Sequence, residues 1–223
     1  MDQLILPNGA TYHGEVEIKR SRFLAEVCRV DTAEEARERI AARRALFPDA
    51  RHHCTGFVVS VRSSSPVLHS NDDGEPSGTA GRPILEALVS MRLTDSVAIV
   101  SRYFGGTLLG TGGLVRAYSA TVKETLEGAP LLSREIVPVW SVLLAHADAG
   151  RYLAELGRAD FTARPEYLSE GVTVTVPTSR AEHLSALLAQ LSGGTIQPHL
   201  AGETAHERPW GAVKNGLAVE SIP

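Results

Sequence analysis

Along the first third of the chain, apolar and polar residues alternate in short runs with the two-residue period of half-buried strands. Residues 12–18 and 23–30 read as a pair of such strands. Asp31-Thr32-Ala33-Glu34-Glu35 then offers an N-cap followed by first-turn acid, predicting a helix to about Phe47, where Pro48 stops it. Residues 55–61, with Phe57, Val58, Val59 and Val61, predict another strand, and 67–69 a short partner to it. Residues 71–83, Asn-Asp-Asp-Gly-Glu-Pro-Ser-Gly-Thr-Ala-Gly-Arg-Pro, hold too much glycine, proline and acid for a regular element and predict a long ordered loop. Pro83 opens a predicted helix over 84–93, with Leu85, Leu88 and Val89 on one face. A buried strand over 96–103 runs through Val97-Ala98-Ile99-Val100 into the glycine-rich stretch 104–113. A helix over 114–126 is predicted to begin where those glycines end.

After Gly128-Ala129-Pro130 the pattern restarts. Strand 137–145, helix 147–157, strands 162–168 and 172–176, helix 179–191 and strand 195–200 follow in the βαββαβ order of a ferredoxin-like split βαβ unit. The expectation is an α+β chain of two domains, residues 1–133 and 134–205. Residues 206–223 lack periodicity and read as an irregular tail.

With 43% hydrophobic and 22% charged residues over 223 positions, the composition is that of a soluble globular chain and excludes a disordered tail or a collagen. Lysine and arginine number 22 against 26 acidic residues, a net charge of -4. That balance excludes coating nucleic acid by bulk charge, since counterion release needs clustered cations. Any anion contact must come from a local patch, and the acid excess lies mostly beyond residue 133. Cys28 and Cys54 lack CxxC spacing and read as reduced thiols of a cytoplasmic protein. The start of the chain has no basic region followed by an apolar one, and no stretch approaches the roughly 20 apolar residues of a membrane span. Neither secretion nor membrane insertion is expected.

The order strand, glycine loop, helix presents backbone N–H groups where glycines let a ligand approach, an anion site for phosphate or carboxylate. Arg102 before the loop and Arg116 after it can add charge-assisted contacts. The known nucleotide motifs fail: no lysine follows Gly110 as GxxxxGK[ST] requires, and Gly110-Thr111-Gly112-Gly113-Leu114-Val115 lacks the third glycine of GxGxxG. Tight turns and close packing of helix on sheet account for the same glycines.

The acidic run Asp72-Asp73-Gly74-Glu75 admits three readings. It could supply paired carboxylates for acid–base work. It could hold a metal with His52, His53 and His69, although adjacent strand histidines point to opposite faces. It could form an Asx-type turn whose carboxylates cap loop amides and pair with Arg82 or Arg102, the reading the pattern favours. Cys54 beside His52 reads as packing rather than as a nucleophile, and Ser77, Thr79, Ser101 and Ser119 lack a GxSxG context. Tyr103, Phe104 and Tyr118 flank the glycine loop and Arg116, where aromatics either stack on bases or cover a core.

Taken together, Ser21-Arg22-Phe23, Ala50-Arg51-His52-His53-Cys54, the DDGEPSGTAG run from Asp72 to Gly81, and Arg102-Tyr103-Phe104-Gly105-Gly106 with LGTGGLVRAY from Leu109 to Tyr118 closely resemble the bacterial YigZ-like branch of the IMPACT family. The resemblance covers roughly residues 15–205. It implies a first domain of the ribosomal-protein-S5 domain-2-like fold, with a left-handed crossover, and a ferredoxin-like second domain similar to those of elongation factor G. Eukaryotic Impact proteins regulate translation in amino-acid starvation through a protein partner. They carry an N-terminal RWD domain that this sequence lacks, so that partner is not implied. For the bacterial branch the resemblance implies RNA or ribosome association without a known reaction.

The expected function is that of a cytoplasmic, non-enzymatic binding protein linked to regulation of translation, with RNA, the ribosome or a protein as partner and neither cofactor nor metal. Its expected anion or nucleic-acid site is Arg82, Arg102, Tyr103, Gly105, Gly106, Gly110, Gly112, Gly113, Arg116 and Tyr118, on a loop shaped by Asp72, Asp73, Gly74, Glu75, Gly78, Thr79 and Gly81. The alternative is a small-molecule enzyme or nucleotide-binding protein using the same glycine loops, with Asp73 or Glu75 as base.

Overall fold

In strand β6 (Ser96–Tyr103) the alternating side chains go to two different cores. Ala98 and Val100 join one and Val97 and Ile99 the other, so this strand must have a helical layer on each face. The computed structural model, which describes residues 3–61 and 64–220, supplies both layers. β6 is the middle of an antiparallel sheet in the order β2-β3-β6-β4-β5, formed with β2 (Thr11–Ile18), β3 (Ser21–Arg29), β4 (His52–Val61) and β5 (Ser64–Asn71). One face carries helix α1 (Ala33–Leu46), and the other carries α2 (Gly81–Ser90) and α3 (Thr111–Thr125).

The start of α1 follows from its sequence. Thr32 Oγ1 accepts from Glu35 N at 3.1 Å and Glu35 Oε2 accepts from Asp31 N at 2.8 Å, a reciprocal cap. α3 begins at Thr111, three residues earlier than predicted, with Gly112 and Gly113 in its first turn. Glycine's poor helix propensity matters least there, because first-turn N–H groups lack intrahelical partners anyway.

By contact, one unit comprises the described residues up to Arg134 and from Arg208 onward, and the second residues 135–207. Chain therefore leaves the first unit at Arg134 and returns to it at Arg208. β1 (Gln3–Ile5) pairs with the beginning of β7 (Pro130–Leu144), Leu4 opposite Ser133. The end of β10 (His199–Lys214) pairs with β11 (Leu217–Glu220). The described part of the expected irregular tail is thus strand and hairpin. Val213, fully buried, enters the first unit's core with Trp210 and Ala218 against it, and its N–H and carbonyl bond Ala129 O and Gly128 N. Those pairings, far away in sequence, order a segment with little periodicity of its own.

In the second unit the order is β7, α4 (His146–Arg158), β8 (Arg164–Leu168), β9 (Gly171–Pro177), α5 (Ala181–Ser192) and β10, and the strands lie in the sequence β10-β7-β9-β8. Val142 and Leu144 of β7 and Val172, Val174 and Val176 of β9 pack with Tyr152, Leu156, Leu184 and Leu188 of the two helices. Among the described residues no helix is long and apolar enough to cross a membrane.

Candidate functional site

Strand register brings the chemistry-bearing residues together. Within the sheet Arg102 stands opposite Phe23 on one side and His52 on the other, so Arg102, His52 and Cys54 share the α2/α3 face. Neighbouring His53, Ser101 and Tyr103 take the α1 face. There His53 Nδ1 lies 2.9 Å from Ser101 Oγ, and Arg22 sits over the Tyr103 ring. His69 stacks on Phe57. The histidines are divided as strand geometry requires, and among the described residues no group of three potential ligands could hold a metal ion.

In the acidic loop each carboxylate has its own task. Asp72 Oδ1 accepts from Ala80 N and Gly81 N and Oδ2 from Gly78 N, at 3.0, 2.8 and 2.8 Å, so Asp72 caps α2 from a distance. Burial pushes its pKa up, but the three amide donors outweigh that and hold the carboxyl below its usual range. Asp73 bonds Arg44 and His53 N; here too burial opposes and these donors prevail, leaving the carboxyl acidic. Its carbonyl meets His52 Nδ1 at 2.7 Å. Gly74 follows it in the turn, and Thr79 Oγ1 donates to Pro76 O.

Glu75 is 8% exposed, and its Oε1 receives Arg102 Nη1 at 2.5 Å and the Tyr118 hydroxyl at 2.7 Å. Cys54 Sγ reaches Tyr118 Oη at 3.3 Å and donates to Asp72 O at 3.0 Å. Burial pushes the Cys54 thiol up to about 12 and raises the Tyr118 phenol as well, so both stay protonated at neutral pH. Arg102, 5% exposed, also reaches Ser21 Oγ, while its Nε has no hydrogen-bond partner among the described residues.

Gly105 is where the loop crosses the start of β3. A Cβ there would fall 2.1 Å from the Arg20 carbonyl carbon, and Gly105 N donates to Ser21 Oγ. Gly110, the N-cap of α3, has φ +70° and no side chain to cap the helix, so among the described residues the first turn of α3 has no side-chain cap.

Between these loops lies a cavity of about 350 Å³. Its polar lining is Arg51, His52, Glu75, Arg102 and Thr111; Phe104, Leu108 and Leu114 are among its apolar walls.

Of the residues expected in the site, Arg102 and Gly110 line this cavity, as do Gly74 and Glu75 of the loop. Gly112 and Gly113 stand in the adjoining helical turn. Arg116, exposed, lies with Nη1 3.7 Å from where a Gly112 Cβ would be. Gly106 follows Gly105 in the loop, and Gly78 and Gly81 serve the Asp72 cap. Arg82 is not brought in: it pairs with Glu86 on the exposed side of α2. Tyr103 belongs to the opposite face, and Tyr118 is fully buried edge-on to Phe23, so neither ring lines the cavity. Arg51, His52, Phe104 and Thr111 enter instead. For Arg51 and His52 the available signal was their place just ahead of a strand; for Phe104, its position between Arg102 and the glycines.

An antiparallel sheet between helical layers, with a buried Glu75–Arg102 pair beside the cavity, describes a mixed α+β fold. Residues 19–126 match the model of the Impact N-terminal domain. Over 183 residues the chain is 36% identical to the IMPACT family member YigZ of Escherichia coli (strain K12), covering 81% of this chain and 90% of that one. It is 38% identical over 158 residues to the IMPACT family member YvyE of Bacillus subtilis (strain 168), 71% of this chain and 72% of that one. A crystal structure described only as that of a hypothetical protein superposes with a TM-score of 0.60 at 32% identity, covering 91% of this chain and 98% of that one. The chain belongs to the IMPACT family, as its motifs led us to expect.

Proposed function

We propose that this protein is a cytoplasmic, non-enzymatic binding protein that associates with RNA or the ribosome in the regulation of translation. The contact face is the one where the loop over 72–82 meets the loop over 104–111. Membership of the IMPACT family supports an S5 domain-2-like first unit. The strand order β10-β7-β9-β8 and the βαββαβ succession support a ferredoxin-like second unit.

One observation carries the binding reading. All three loop carboxylates are committed to protein donors, Asp72 to amides, Asp73 to Arg44 and Glu75 to Arg102 and Tyr118, whereas the first-turn amides of α3 and the exposed guanidinium groups of Arg51 and Arg116 border the same cavity or its helix. Carboxylates held this way are poor general bases, and amides with arginines suit phosphate oxygens.

Co-sedimentation with ribosomal subunits and filter binding of structured RNA, each over a salt series, test this function. Arg51→Ala with Arg116→Ala is expected to weaken binding and to lower the salt slope by about one to two units. Unchanged binding by the double variant would remove this face from consideration. Arg102 is unsuitable for the test, because its removal strands a buried carboxylate.

A further inference from the structure

We infer that the cavity receives a single nucleotide carrying a terminal phosphate, either free or at the end of an RNA strand. This inference rests on the RNA reading above and narrows it from a surface to a pocket. At about 350 Å³ the cavity is within the size range of small-ligand sites, which runs from roughly 300 to 1,000 Å³.

Its lining offers partners for both parts of a nucleotide. Gly110 and Thr111 bring the N-terminus of α3 into it, where first-turn amides have no side-chain cap among the described residues, and a phosphate is the group such amides hold best. Arg51 lines the same space and supplies the positive charge. Phe104, 40% exposed, offers a ring for a base, with the Arg51 and Arg102 guanidinium groups 5.8 and 5.7 Å from its centroid. Leu108 and Leu114 extend the apolar wall.

The floor points to a ligand independently of the helix. Arg102 is 5% exposed and lines the cavity, yet its Nε has no acceptor among the described residues. A buried guanidinium N–H without an acceptor is costly, and a modest turn of the Arg102 side chain toward a ligand oxygen in the cavity would satisfy it. Glu75 does not repel the phosphate as a free carboxylate would, because Arg102 and Tyr118 both donate to it.

Calorimetric titration of the full chain with inorganic phosphate, with nucleoside monophosphates, and with short single-stranded RNAs ending in 5′-phosphate, 3′-phosphate or hydroxyl separates the sources. Binding is expected to require a terminal phosphate, and inorganic phosphate is expected to bind at least tenfold more weakly than a monophosphate nucleotide. Phe104→Ala, at a half-exposed ring, should weaken nucleotide binding at least fivefold while leaving inorganic phosphate unchanged. Thr111→Pro deletes one amide at a first-turn position that accepts proline, and Thr111→Ala keeps that amide; only the proline variant should lose affinity.

RNA binding that ignores the terminal phosphate and both variants overturns the pocket but leaves the RNA reading standing. Nucleotide binding without any RNA or ribosome association overturns that reading and keeps the pocket. Binding of acidic peptides in place of nucleotides overturns both.

Discussion

Arg102 and Glu75 form a pair that only makes sense when both are present. Each is at least nine-tenths buried, and a buried carboxylate without its guanidinium is far costlier than the pair is beneficial. Arg102→Ala is therefore expected to lower stability by about 3–5 kcal/mol, read as a shift of the urea midpoint. Tyr118→Phe leaves the guanidinium in place and should cost only about 1–2 kcal/mol in the same measurement. At Asp72 the folded carboxyl is more acidic than the unfolded one, so its cap stabilises the fold above the unfolded pKa and that stabilisation is lost as pH falls through the folded pKa. Asp72→Ala should be about 1–2 kcal/mol less stable than wild type at pH 7. The difference should shrink steadily once pH drops below about 4, in urea titrations of both proteins.

At the scale of elements, the two glycines flanking the cavity respond in opposite ways to a methyl group. At Gly105 a Cβ meets the Arg20 backbone at 2.1 Å, a backbone contact that cannot be relieved cheaply. Gly105→Ala is expected to cost about 1–3 kcal/mol. A Cβ on Gly112 meets only the far end of Arg116, at 3.7 Å, so Gly112→Ala is expected to be tolerated and to gain less than the roughly 0.5–1 kcal/mol of a mid-helix site, because it lies in the first turn. Thermal melts of both variants check the contrast.

This scale also explains what the sequence made legible. α1 could be read because Thr32 and Glu35 are capping residues in capping positions. Strand β6 could be read because Val97 to Val100 is apolar on both faces. The start of α3 was misplaced because glycine propensity is a local rule and a first turn exempts it. The hairpin at the end of the chain was invisible because β10 is polar and exposed for most of its length, with Val213 its one fully buried side chain. In the site, the loop carboxylates and Arg102 stood out by composition. Arg44 did not, and Arg51 and His52 stood out only as part of a motif, since only the pairing of β4 with β6 and the packing of α1 bring these residues to the loop.

For the molecule as a whole, the last strands complete the first unit. Cutting the chain after Glu207 would remove Val213 from that unit's core, a side chain whose burial is worth about 1.5–3 kcal/mol, together with its two backbone bonds to Gly128 and Ala129. The truncated protein is expected to melt at a clearly lower temperature than the full chain and to expose apolar surface to a hydrophobic dye. A similar melt for both proteins would mean that these strands contribute little.

Because chain leaves the first unit at Arg134 and rejoins it at Arg208, the order of synthesis differs from the order of completion. The residues before 135 wait for those after 207, while a whole unit is produced in between. During translation the first unit therefore remains an unfinished core with Leu4, Leu131 and Ala129 lacking Val213. Domains that are continuous in sequence close one after another as they emerge. This one closes only after the whole second unit has been made, so its maturation waits on the return of the chain at Arg208.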